Sequence, residues 1–285
     1  MRQEVKFHAN LSEFIQLCYP FLIKYEAENN LIFGILNRLK QNITYYGETP
    51  VLLSISDEET MKLVSIRTPP YNQIISYTED LDSISLLVNT LNENKMDIPG
   101  VLGFTKGVEK FVQLYAIKNQ KTATLKMNQQ IYCLDTVNPE TFGSNSAEPA
   151  TIEDLNLILR WIRAFMLEAA SEASPQAVSQ AQKGINGAIK HELIYVLRIK
   201  EKIVSMAGKW GETPNGRRIG GVYTPPDQRN KGYGTEVVAK VSQSVLDAGK
   251  QYCFLFTDLS NPVSNRMYQK IGYRPIIGVD EYKFE

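Results

Sequence analysis

The chain has 285 residues, long for one compact core, so two domains are the expected arrangement. Its 31 Lys and Arg balance 31 Asp and Glu, so no global field recruits nucleic acid or an anionic membrane, and a small molecule is the expected partner. The first residues mix charged with apolar side chains, which makes neither a signal peptide nor a membrane span and points to the cytoplasm, and Cys18, Cys133 and Cys253, far apart and without a CxxC pair, give no disulfide framework and no metal site.

In chain order, residues 51–55, 62–66 and 75–78 have the apolar, β-branched character of strands. A helix is predicted over 81–91, a short apolar strand over 98–104, a second helix over 107–116 and two late strands over 122–127 and 130–135. The glycine-rich stretch 100–107 reads as a strand-to-helix turn. Residues 138–149 are rich in turn formers and form the predicted linker between a domain at 1–137 and another at 150–285.

Thr151, with Asp154 three residues on, opens a predicted helix through Met166, and Ser174-Pro175 opens another that ends near His191. Strands over 193–199 and 202–207, joined by Lys200-Glu201, form a predicted antiparallel hairpin, and a polar loop at 211–216 leads to a third strand over 218–224. This succession echoes the first half: 62–66 resembles 202–206, and 75–78 resembles 221–224. Predicted strands and helices occur in both halves, so the chain reads as α/β (α+β). Residues 1–150 carry a net charge of −4 and residues 151–285 of +4, a mild tilt toward an anionic ligand in the second half.

After Thr224 the chain reads Pro225-Pro226-Asp227-Gln228-Arg229-Asn230-Lys231-Gly232-Tyr233-Gly234-Thr235 and enters a helix whose Val237, Val238, Val241 and Val245 share one face and which Gly249 ends. A helix N-terminus offers unpaired N–H groups and the positive end of the dipole, and glycines at 232 and 234 let the backbone curl round an anion. A dinucleotide fingerprint would need glycine at Val237, and a P-loop would need Gly-Lys-Ser/Thr; neither is present. By itself Arg-x-x-Gly-x-Gly is also compatible with a plain turn.

Placed between a strand and a helix, Arg229 to Gly234 resembles the acetyl-CoA pyrophosphate loop of the GNAT superfamily of N-acetyltransferases. Downstream, the predicted strand over 252–257 and the segment from Asn261 to Tyr273, with Tyr268 and Gly272, resemble the family's Asn-x-x-(small)-x-x-x-Tyr-x-x-x-Gly-(aromatic) pattern. The resemblance implies two GNAT-like domains in tandem, each a mixed, mostly antiparallel central sheet flanked by helices. It implies that backbone groups of Val222, Tyr223 and Thr224 hold the pantetheine arm of acetyl-CoA, that Arg229, Asn230, Lys231, Gly232, Tyr233, Gly234 and Thr235 cradle the pyrophosphate, and that Asn261 bonds the pantetheine side. Tyr268 is implied as the general acid facing the thioester sulfur, the role a phenol of ordinary pKa about 10 can fill. Packing of a short helix is the competing role for Tyr268, and a helix N-cap for Asn261. Asn265, Arg266 and Lys270 are further candidates near the cofactor.

The strand over 218–224 carries no Asp or Glu where many members place the base. Glu168, Glu212 and His191 are the alternatives, and none is singled out. In the first half the loop after Thr78 holds Glu79, Asp80 and Asp82 and no glycine, so it would repel pyrophosphate and the first half reads as degenerate. The expected activity is acetyl transfer from acetyl-CoA to a primary amine by direct attack in a ternary complex, since no cysteine stands in a nucleophile's setting. The alternative is a non-catalytic acyl-CoA-binding regulatory protein. An oligomer is compatible with either.

Overall fold

A computed structural model describes residues 3–58, 60–169, 179 and 182–285. The first half runs β1 (Gln3–Phe7), α1 (Leu11–Lys24), α2 (Asn30–Gln41), β2 (Val51–Asp57), β3 (Thr60–Arg67), β4 (Gln73–Ile75), α3 (Leu81–Glu93), β5 (Gly100–Phe104), α4 (Thr105–Asn119) and β6 (Ala123–Leu134). The second runs β7 (Ser146–Pro149), α5 (Leu155–Ala169), α6 (Ile185–Lys190), β8 (Ile194–Ile199), β9 (Lys202–Glu212), β10 (Gly216–Tyr223), α7 (Tyr233–Asp247), β11 (Tyr252–Asp258), α8 (Pro262–Ile271) and β12 (Arg274–Phe284). Part of the helix predicted from Ser174 to His191 lies outside the described residues; its end is α6.

All strands join one twelve-stranded sheet in the order β1-β2-β3-β4-β5-β12-β6-β11-β10-β9-β8-β7. The centre of that order joins the halves. β12 inserts between β5 and β6, with Glu281 opposite Leu102 on one side and Met127 on the other. β6 inserts between β12 and β11, with Cys133 opposite Arg274 and Phe254. Each half thus supplies a strand that completes the other's sheet, and the two strands predicted over 122–127 and 130–135 are one long strand, which reaches both halves. The segment 138–149 is only partly a connector, because Ser146–Pro149 pairs with β8 at the sheet's edge.

Helices cover both faces. α1 and α2, which sequence periodicity was not used to predict, bury Phe14, Cys18 and Leu22 at helical spacing together with Ile32, Leu36 and Leu39 against β2 and β3. Asn10 caps α1 by accepting from the N–H groups of Ser12 and Glu13. Across the sheet from the α5–α6 layer, α7 buries Val237, Val238 and Val241 fully against Leu197, Val204, Ile219 and Leu255. Each such side chain contributes about 1.5–3 kcal/mol by leaving water. None of the described helices is long and apolar enough to cross a membrane.

Candidate functional site

The site begins where two parallel strands part. β10 and β11 pair only at Gly216–Tyr252, Arg217–Cys253 and Arg218–Phe254, and beyond Arg218 they diverge. β10 also loses its partner on the other side: its register against β9 steps from Gly220–Gly208 to Tyr223–Met206, leaving Gly221 and Val222 unpaired in a bulge. Gly221 has φ +62°, a left-handed conformation that suits glycine. The dipeptide Gly220-Gly221 inside a strand was the sequence signal for this bulge. The consequence is a strand end, Val222 to Thr224, with no β11 partner on the fork side, while Tyr223 regains its pairing with Met206 of β9 on the other. Ser205 fixes that end, its hydroxyl donating to Tyr223 O at 3.2 Å and sharing a 2.8 Å hydrogen bond with the Thr224 hydroxyl.

The loop that follows ends on Gly232, the N-cap of α7, with φ +82° and ψ −3°. Asn230 is also left-handed, at φ +61°. Gly232 has no side chain to turn back on Gly234 or Thr235, and the N–H groups from Asn230 to Thr235 have no acceptor among the described residues. A Cβ on Gly232 would meet no protein atom within 4 Å, so the space before it is open. Gly234 serves differently. Its φ is not positive, and a Cβ there would lie 3.3 Å from Met267 Sδ and 3.4 Å from Thr224 Oγ1, so its small size packs the loop onto the strand end and α8.

Arg229 donates from Nε to Thr224 O at 2.9 Å and from its terminal nitrogen to Glu168 Oε2 at 2.6 Å. Tyr223 Oη donates to the other Glu168 oxygen at 3.3 Å, and burial, followed by the Glu168 charge, raises the phenol's pKa. Lys231 folds back onto Asp227 O and Gln228 Oε1. Tyr233 packs at the edge of the α7 core, and Thr235 is half-buried in the first turn.

α8 brings the remaining residues. Asn261 is its N-cap, accepting from Ser264 N at 3.1 Å. Asn265 donates to Asp258 O and Asn261 O, while its own Oδ1 is buried with no donor. Tyr268 and Tyr273 lie edge to face, with centroids 5.9 Å apart, but they differ in their hydroxyls. Tyr273 shares a 2.7 Å hydrogen bond with Ser242 Oγ, the mark of a packing residue. The Tyr268 hydroxyl has no hydrogen-bond partner among the described residues, and burial pushes its pKa up to about 12, so it stays protonated at neutral pH. Arg266 and Lys270 are exposed.

Of the three carboxylate and imidazole candidates, only Glu168 reaches the fork. Glu212 ends β9 opposite Arg217, at the far end of β10 from the loop, and is paired with Lys250 at 2.8 Å. His191 follows α6 and borders a separate cavity.

The corresponding place in the first half is filled. Asp80 caps α3 with its own carboxylate, accepting from Asp82 N at 3.0 Å and from Gln3 Nε2 at 2.5 Å, and Thr78 Oγ1 accepts from Asp80 N. The fork there is packed as well, since a Cβ on Gly103 would lie 2.3 Å from Ile75 Cγ1. Among the described residues no group of His, Cys, Asp and Glu could hold a metal ion. All three thiols are buried and pushed up, Cys18 and Cys253 to about 12 and Cys133 to about 11.

Comparison with known proteins bears on the fold. The family model described as FR47-like protein matches residues 197–283. No curated protein matches the chain in sequence. Among solved structures, an acetyltransferase of the GNAT family from Colwellia psychrerythraea is similar at 12% identity and a TM-score of 0.58, over 99% of this chain and 100% of its own. A GCN5-related N-acetyltransferase from Sphaerobacter thermophilus is similar at 12% identity and 0.62, over 98% and 94%. A tandem GNAT protein from the clavulanic acid biosynthesis pathway is similar at 9% identity and 0.54, over 100% and 98%. The chain therefore has the GNAT fold, in its two-domain tandem form.

Proposed function

We propose that this tandem GNAT protein is an acetyl-CoA-dependent N-acetyltransferase with one cofactor site, in the second half, acting on a primary amine. The observation that carries the reading is the run of N–H groups from Asn230 to Thr235 left without acceptors in front of a left-handed Gly232 at the start of a fifteen-residue helix. Six donors and the positive end of a dipole suit a pyrophosphate, and the open space before Gly232 admits one. Main-chain groups of Val222, Tyr223 and Thr224 then serve the pantetheine arm, and Asn265 Oδ1, an acceptor without a donor, suits an amide N–H of that arm. Asn261 acts through the α8 N-cap that orients this segment.

Bound acetyl-CoA supplies an activated acyl carbon. Tyr268 keeps its hydroxyl proton, with no acceptor for it among the described residues, and would give it to the sulfur released when the amine nitrogen bonds to that carbon, the proton lost by the amine passing to solvent water. Glu168, tied to Arg229 and Tyr223, is the carboxylate at the fork and orders the loop. The first half, whose helix start is capped by Asp80, contributes β6 and the wall of α2 instead of a second cofactor site.

Tyr268→Phe tests the reading. The expected result is a fall in kcat of about a hundredfold, the scale of general acid catalysis, with the Kd for CoA unchanged. Full activity in this variant removes Tyr268 from the chemistry. CoA binding without turnover of any amine, in the wild type, would favour the non-catalytic acyl-CoA-binding protein.

A further inference from the structure

A second cavity lies apart from the phosphate loop, between α2 and the middle strands, where the two halves meet. It has a volume of about 680 Å³, and its walls include Ile35, Ile74 and Leu102 beside Arg38, Arg218 and Tyr46. Arg218 is the last β10 residue paired with β11, so its chain leaves the sheet where the fork begins to open. Ile219 packs beneath α7, and alternation along the strand sends Arg218 to the opposite face, toward α2. Its guanidinium rests over the backbone of Gly211, where a Cβ would lie 3.2 Å from the guanidinium carbon, and 5.8 Å from the centre of the Phe256 ring.

Among the described residues no carboxylate forms an ion pair with Arg218 or Arg38, and no protein acceptor takes a hydrogen bond from Arg218, while Arg38 has the neutral Tyr46 hydroxyl as its side-chain hydrogen-bond partner. Arg38 lies over the Tyr45 ring at 5.2 Å. Burial, and then the like charge of Arg38, pushes the pKa of Arg218 down to about 10. Glu281, in the same wall, does not relieve them: its carboxylate accepts from Asn72 Nδ2 at 2.7 Å, and burial raises its pKa. A half-buried cation without a counter-charge favours an anion brought to it from outside.

We propose that the acceptor amine carries a carboxylate, and that Arg218, with Arg38, holds this carboxylate in the cavity under α2 while the amino group points to the fork between β10 and β11. The guanidinium fork matches a carboxylate in two parallel hydrogen bonds. Glu281 and Lys283 share the wall and offset each other in charge, so Arg218 and Arg38 set the sign of the site, and their planar forks match a flat carboxylate. The apolar walls select an acceptor with an aliphatic or aromatic body. This rests on the transferase reading and narrows it to a substrate class.

The test compares amino acids, β-alanine and 4-aminobutyrate with their amides, polyamines, amino sugars and O-phosphoethanolamine, following CoA thiol release. The expected outcome is turnover of at least one acid, with its amide at least about thirtyfold poorer in kcat/KM, as for loss of one partner of a buried charge pair. Arg218→Gln should raise KM for that acid by a similar factor, leaving its kcat, the KM for the amide and the Kd for CoA near wild type, and Arg218→Lys should restore part of the loss. A purely structural Arg218 would instead change stability without separating acid from amide. Calorimetry of the same acids with the CoA-free protein separates the two claims: acid binding without any turnover keeps the anion site and rejects the transferase. Amides, polyamines or O-phosphoethanolamine used as well as the acids, or no acid bound at all, overturns the proposal.

Discussion

The ring of Phe284, on β12, packs 4.9 Å from the ring of Tyr115 on α4, so a strand that follows the second half's chemistry is anchored in the first half's core. Phe284→Ala should cost about 3–5 kcal/mol, as expected for a buried aromatic residue. Both tryptophans, Trp161 and Trp210, lie in the second half. Their fluorescence midpoint in urea should therefore shift together with the far-UV circular dichroism midpoint. Separate midpoints would show that the halves unfold independently.

The same exchange predicts that residues 138–285 expressed alone do not bind CoA. Without β6, the edges of β11 and β12 that it pairs with are left open. Co-expression with residues 1–137 should restore binding, read by titration with CoA, and full affinity in the isolated segment would refute the dependence.

Gly232→Val should weaken CoA binding by more than tenfold. The left-handed backbone alone costs about 1–2 kcal/mol for a residue with a Cβ, and the side chain enters the open space before the loop. Leu81→Val, at the matching helix start, should leave affinity unchanged, because the Asp80 carboxylate already stands at that helix start and accepts from Asp82 N. Calorimetry should give close to one CoA per chain, and a stoichiometry near two would require a site in the first half.

Alkaline pH should destabilise the fold. In the unfolded chain thiols ionise near 9.0 and phenols near 10.0, whereas in the folded protein Cys133 is pushed up to about 11 and Cys18, Cys253 and Tyr268 to about 12. Over that window the unfolded chain binds fewer protons, so stability is intact below pH 9 and falls as pH rises, by up to about 1.4 kcal/mol per unit and group. Urea midpoints measured from pH 8 to 10.5 should decline, and less steeply in Cys253→Ala. A flat profile contradicts the burial of these groups in the folded state.

Much of the second half was written locally. A strand ending at Thr224, glycines at 232 and 234, and an apolar stripe from Val237 to Val245 are short-range features, and a helix start is made by the residues beside it. Gly232 illustrates this, since its φ follows from the lack of a Cβ at an N-cap. The reason for Gly234, close contact with Met267 and Thr224, required the position of α8 and was not legible in the loop itself.

What sequence alone determined, then, was the type and order of most elements, the glycine-bearing turn before α7 and the contrast between Gly232 and Asp80, because each depends on neighbours within a few residues. Helices α1 and α2 escaped, with Pro20 inside the first of them. Only tertiary structure decided that β6 and β12 cross between the halves, that the hydroxyl of Tyr273 is tied to Ser242 while that of Tyr268 has no partner among the described residues, and that Arg218 lies under α2 with no ion-pair partner among them. Strand pairing and burial join residues more than a hundred positions apart, and alternation along one strand cannot reveal which distant surface will cover it.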